Sequence, residues 1–158
     1  RVLIIVIFRL AGPCLFALLM GSSRLLYAKM SERISLPKMM LSSGILCIVS
    51  YLLAALSPNP VLALLGCGLC GFSVGVFWPG TFSMAAASCP KGGTALFALL
   101  ALAGDLGCSS GPGVVGVVSG AFSENLKAGL LAAIVFPVLL IIGLQLLKEG
   151  SRERGEVR

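Results

Sequence analysis

The chain has 158 residues, of which 58% are hydrophobic and 11% charged, with a mean hydropathy of +1.05. Soluble domains carry about 25% charged residues, so composition excludes a water-soluble globular domain and indicates a membrane protein. The net charge of +6 does not indicate a nucleic-acid partner, because the basic residues fall in short polar breaks and in the tail, where membrane topology places them.

The chain starts on Arg1 rather than Met, already at full apolar strength. It is therefore expected to be a fragment, with residues 1–9 an upstream remnant that has no assigned place. Segment A follows at 10–28, with Gly12-Pro13 in its first turns, where proline is best tolerated. Segment B is expected at 37–56, with Pro37 near its first helical position. The turn Ser57-Pro58-Asn59-Pro60 leads to segment C at 61–88. Pro90 to Thr94 form the next break, segment D spans 94–122, and segment E spans 128–147. Residues 148–158 are a polar tail.

No charged residue occurs from Met39 to Pro90 or from Ala128 to Leu147, and Asp105 is the only one from Gly92 to Ser123. A membrane-crossing helix needs roughly 20 apolar residues, so segments A to E are expected to be five transmembrane helices in a lipid bilayer. A barrel strand would alternate apolar and polar residues over about 10 positions; these runs are longer and apolar all round. Helices are the remaining way to pair every backbone group in lipid.

Lysine and arginine placement sets the expected orientation. The A–B break, the C–D break and the tail share one side and carry Arg24, Lys29, Arg33, Lys38, Lys91, Lys148, Arg152, Arg154 and Arg158. The other side has Arg1, Arg9 and Lys127. The positive-inside rule puts the richer side in the cytoplasm, so the N-terminus is expected outside and the C-terminus cytoplasmic, in an inner or plasma membrane.

Cys67-Gly-Leu-Cys70 has the spacing of a redox or metal motif. It sits in an apolar run, and the chain has no histidine and no second ligand pair, so the small residues are expected at a helix contact and no metal or cofactor is implied. Gly71-x-x-x-Gly75, Gly107-x-x-x-Gly111 and Gly116-x-x-x-Gly120 are expected to let segments C and D approach other helices closely. An intramembrane enzyme would need a nucleophile–base pair or metal ligands at depth; a single Asp without His does not supply them, so no enzymatic activity is expected.

Asp105 lies eleven residues past Thr94, about 17 Å deep at a helical rise of about 1.5 Å per residue. That is near the middle of a hydrocarbon core about 30 Å thick, where a charge requires a polar cavity or a partner. One helical turn away lie Ala98, Ala101, Leu102, Cys108, Ser109 and Pro112, a mostly small stripe. The stripe either lines a solute or proton path, with Ser109 beside Asp105, or packs on another helix. Gly111-Pro112-Gly113 follows, and Trp78-Pro79-Gly80-Thr81 makes a similar break in segment C; interrupted helices of this kind mark sites or bending points in transporters. Trp78 could stack on a ring-shaped solute, with Thr81 on the same path, or serve as a packing residue. Arg24 either snorkels or reaches toward Asp105, from which it differs in depth by roughly 10 Å.

Gly21 to Lys38, Gly-Ser-Ser-Arg-Leu-Leu-Tyr-Ala-Lys-Met-Ser-Glu-Arg-Ile-Ser-Leu-Pro-Lys, resembles the loop between the second and third helices of each half of major facilitator superfamily transporters. Ala28 and Ser35 stand where the family has glycines, Glu32-Arg33 where it has Asp-Arg, and Lys38 near its basic end. On this resemblance segments A to E correspond to helices eight to twelve of the C-terminal six-helix bundle. Gly107-x-x-x-Gly111-Pro112-x-x-x-Gly116 is similar to the Gly-Pro motif on helix five of antiporters. Together with Phe77 to Phe82, these stretches resemble the sugar-permease-like branch, including fucose-permease relatives. The resemblance implies secondary active transport of a small-molecule substrate by alternating access, ion- or proton-coupled, with a missing N-terminal half as partner. It further implies that Arg24, Lys29, Glu32 and Arg33 act as a cytoplasmic gating loop. A small membrane scaffold or a non-functional fragment is the alternative.

Overall fold

The computed structural model describes the backbone of residues 2–30, 34–123 and 125–156, and the side chains of 10–30, 34–123 and 125–148. These residues form seven helices: α1 (Val2–Met30), α2 (Leu36–Leu56), α3 (Pro60–Val74), α4 (Phe77–Ser88), α5 (Gly93–Ala121), α6 (Leu126–Ala132) and α7 (Val135–Glu156). No strand occurs among the described residues. Five stretches are long and apolar enough to cross a membrane: Leu10–Met30, Leu36–Leu56, Pro60–Ser88, Gly93–Ala121 and Leu126–Lys148. The fold is thus all-α. The stretch before Leu10, which residue order alone does not place, continues α1 backwards as one helix.

Local chemistry explains the helix ends. The Asn59 side chain accepts from the Val61 N–H at 2.9 Å, with Pro60 opening α3 where its missing donor costs nothing. Asn125 does the same for the Lys127 N–H at 3.1 Å at the start of α6. Beyond the end of α5, Ser123 takes a left-handed φ of 57°, the conformation that commonly stops a helix.

Two of the five spans are interrupted, for the same reason. Pro79 is the third residue of α4 and Pro137 the third residue of α7. Each proline lacks the N–H that would bond the carbonyl four residues earlier, at Gly75 and Ala133, and its ring crowds that carbonyl. The helix gives way there, and resumes with Gly80 N–H on Val76 O at 2.9 Å and Val138 N–H on Ile134 O at 3.2 Å. The interruption of segment C therefore falls at Gly75–Val76 rather than at Trp78 to Thr81. The break in segment E has no counterpart among the expectations from sequence, although Pro137 signals it. Pro112, by contrast, lies inside an unbroken α5, so Gly111-Pro112-Gly113 does not divide its helix.

The bundle is organised by glycines at crossing points. The helix α3 lies between α1 and α2; α2 also packs on α4, α6 and α7; α5 leans on α6 and touches α4. A β-carbon on Gly66 would meet the Ala54 backbone nitrogen at 2.8 Å, and one on Gly68 would meet Leu19 Cδ1 at 2.8 Å. Gly71 and Gly75 abut the backbone of α1 at Phe16 and Met20. Gly44 faces Ile141, Gly80 faces Met40, and Gly129 faces the Val115 carbonyl. Lipid tails are as apolar as the side chains, so close backbone packing replaces the hydrophobic effect in holding helices together.

Segment C accordingly uses its Gly71–Gly75 pair as expected. Segment D does not: a β-carbon added at position 107, 111, 116 or 120 would meet nothing within 4 Å. Its GxxxG stripes face open space, and the glycines that hold α5 are Gly104 and, from the other side, Gly129. Where hydroxyls are buried they satisfy themselves locally: Ser23 on Met20 O at 2.9 Å, Ser50 on Leu46 O at 2.7 Å, Ser73 on Cys70 O at 2.7 Å. Such back-bonding meets the demand that no polar group in lipid go unpaired.

Candidate functional site

The helix α5 contains no buried residue. Its half-buried positions include Leu96, Leu100, Gly104, Val115 and Val118, a stripe at helical spacing that meets the neighbouring helices. Asp105, Leu102, Cys108, Ser109 and Pro112 lie off that stripe and are exposed. Asp105 sits near the middle of the helix. The carboxylate has no hydrogen bond or ion pair among the described residues, and neither does the Arg24 guanidinium. Pairing of Arg24 with Asp105 therefore does not occur in this chain. Ser109 is beside Asp105 but turns its hydroxyl back onto the Asp105 carbonyl at 3.0 Å.

Trp78 approaches this helix from α4. Its six-membered ring lies over Gly104, the residue before Asp105; a β-carbon there would meet Trp78 Cη2 at 2.7 Å. The Trp78 and Phe82 rings are 4.6 Å apart and tilted, and Phe82 stacks on Phe97 at 5.5 Å. The three aromatics tie α4 to α5, within the spacing at which ring pairs attract. Trp78 remains 47% exposed, so part of the indole is free to meet another molecule. Sequence singles out Trp78 and Asp105; it misses Gly104, Phe82 and Phe97, whose spacings of one and two turns on two neighbouring helices carry no separate signal.

The other expected residues are dispersed. Thr81 bonds its own helix, hydroxyl to Phe77 O at 2.7 Å, and lines an apolar cavity of about 370 Å³ between α2, α4, α5 and α7. Pro79 and Gly80 sit in the first turn of α4. Arg24 and Lys29 are exposed at the end of α1; Glu32 and Arg33 lie outside the described residues. A second cavity, of about 400 Å³, lies beside this end between α1, α2 and α3, and Tyr27, Lys38 and Ser43 line it.

Cys47, Cys67 and Cys70 behave as small packing residues, whereas Cys14, Cys89 and Cys108 are exposed. Cys47 is 2% exposed and its thiol faces that of Cys70, with Ser73 and Tyr51 adjacent. The Cys67 thiol points to Gly12 O at 3.9 Å. Among the described residues no group of three His, Cys, Asp or Glu side chains could hold a metal ion.

A family model described as Major Facilitator Superfamily matches residues 10–157. No curated protein and no solved structure matches the chain.

Proposed function

The chain belongs to the Major Facilitator Superfamily, whose members are transporters, and on that premise we propose that it supplies the C-terminal part of a secondary active transporter. It works by alternating access, with the tail and the α1–α2 loop on the cytoplasmic side. The observation that carries this is Asp105: the one acid of a long apolar span, exposed at mid-helix, next to the Gly104–Trp78 crossing. A carboxylate in that position needs water, a solute or a partner charge.

The exposed face of α5, with Leu102, Asp105, Cys108 and Ser109, then lines the central path and is closed by the N-terminal half of the transporter. The Asp105 carboxylate accepts hydrogen bonds from the solute or carries the coupling proton. The free part of the Trp78 indole offers a flat apolar surface, which favours a hydroxylated ring such as a sugar. Arg24 and Lys29, with Glu32 and Arg33, form the cytoplasmic latch between the two halves.

The test is uptake by the assembled transporter carrying Asp105→Asn. Uptake is expected to fail, or to lose its dependence on the ion gradient, while the amount of protein in the membrane stays unchanged. Gradient-driven uptake at the normal rate would remove Asp105 from the mechanism.

A further inference from the structure

The cavity between α2, α4, α5 and α7 does not end inside the bundle. A neighbouring cavity of about 360 Å³ shares Met84, Ser88, Leu144 and Leu147 with it, so the two form one slot. The mouth is lined by Leu36, Ser88 and Lys148. These are the first residue of one span and the last residues of two others, so the mouth lies at one membrane face. The floor is lined by Met40, Thr81 and Leu140. From Lys148 down to Leu140 is eight residues of helix, about 12 Å at a rise of about 1.5 Å per residue.

Three properties of the slot select one kind of occupant. The walls are almost wholly apolar, being made of Met, Leu and Ala side chains with few hydroxyls. The depth is close to one leaflet of a hydrocarbon core about 30 Å thick. The mouth carries a cation, Lys148, which is exposed, as are Ser83, Ala87 and Leu147 along the side, so the slot opens laterally as well as at its end. Basic side chains at the rim of a groove between membrane helices attract anionic headgroups. We infer that this slot binds one acyl chain of an anionic membrane phospholipid, with the phosphate held at Lys148. The inference does not depend on which solute is transported, nor on Asp105.

Gly143 provides a clean way to fill the slot. It lines the cavity, and a β-carbon built on it meets nothing within 4 Å, so a larger side chain projects into empty space rather than into a neighbour. The experiment reconstitutes the full chain into phosphatidylcholine vesicles containing a minor fraction of phosphatidylglycerol with a photoreactive acyl chain. Cross-links are then mapped by mass spectrometry. They are expected to concentrate on Met84 and Leu144, to be largely abolished by Gly143→Leu, and to fall about fivefold with Lys148→Gln, the attraction of one basic side chain for an anionic surface. The same photoreactive chain on phosphatidylcholine is expected to label these residues more weakly. Labelling spread evenly over outward residues such as Leu18 and Val117, or undiminished by Gly143→Leu, overturns the slot as a lipid site. Equal labelling by both lipids, or no effect of Lys148→Gln, overturns the anionic headgroup. Absence of labelling at Met84 and Leu144 means that a protein segment fills the slot, and also overturns the inference.

Discussion

The indole of Trp78 rests on Gly104, in a space that exists only because residue 104 has no side chain. This crossing is where α4 meets α5, and it places an aromatic face one residue from the only acid in the span. Two features that look separate in sequence are thereby parts of one locality.

Gly104→Leu should push the indole off α5. Trp78 is the only tryptophan, so intrinsic fluorescence reports it without ambiguity. A changed emission maximum is expected, together with weaker contact to Phe82 and Phe97. An unchanged spectrum would show that the ring does not sit where the structure puts it.

Glycines that fill crossings and glycines that face open space should respond differently to enlargement. Gly71→Leu forces α3 away from the α1 backbone, and overpacking of this kind costs about 1–3 kcal/mol. The melting temperature in detergent should fall by about 5 °C. Gly116→Leu, with nothing near its β-carbon, should leave it within about 1 °C. Similar losses for both variants would contradict the helix arrangement.

Pro79→Ala and Pro137→Ala each return a backbone donor four residues beyond a carbonyl, that of Gly75 and that of Ala133, the second of which accepts only from the Phe136 N–H, at 3.1 Å, in the interrupted turn. Recovering one hydrogen bond is worth about 1 kcal/mol, so opening around residues 75–80 and 133–138 should become roughly fivefold rarer. Hydrogen–deuterium exchange of those peptides measures it. Exchange that stays the same would mean that something other than proline sets the interruptions.

Cys108 shares the exposed face of Asp105, while Cys47 is buried at the α2–α3 crossing. If that face lines an aqueous path in the assembled transporter, a membrane-impermeant thiol reagent should modify Cys108 and leave Cys47 intact. Inert Cys108 would turn the face toward lipid or toward a tightly packed helix instead.

Much of this is readable from residue order. Long charge-free runs demand helices, because no other open structure pairs its backbone in lipid. Asn59 with Pro60 and the turn before them mark where one helix starts, since caps act within a few residues. The lone acid of segment D stands out for the same reason: the cost of a charge at depth depends on its immediate medium. Proline gives partial information. Pro79 announces an interruption, but the strain is relieved at the carbonyl four residues earlier, which moves the break to Gly75. Pro112 has the same chemistry and leaves α5 unbroken.

Which helices meet is not legible, and the physical reason lies in the apolar runs themselves. When every face of a helix is hydrophobic, periodicity no longer distinguishes inside from outside. Three GxxxG pairs look alike in the sequence; only the packing of α3 between α1 and α2 shows that Gly71 and Gly75 fill a crossing while those of α5 face open space. Residue order is enough to establish the medium, the helical class and the rarity of Asp105. The order of helices, the Trp78–Gly104 crossing and the slot beneath Lys148 emerge only from three-dimensional packing, because each depends on residues far apart in the chain meeting at distances that no local pattern encodes.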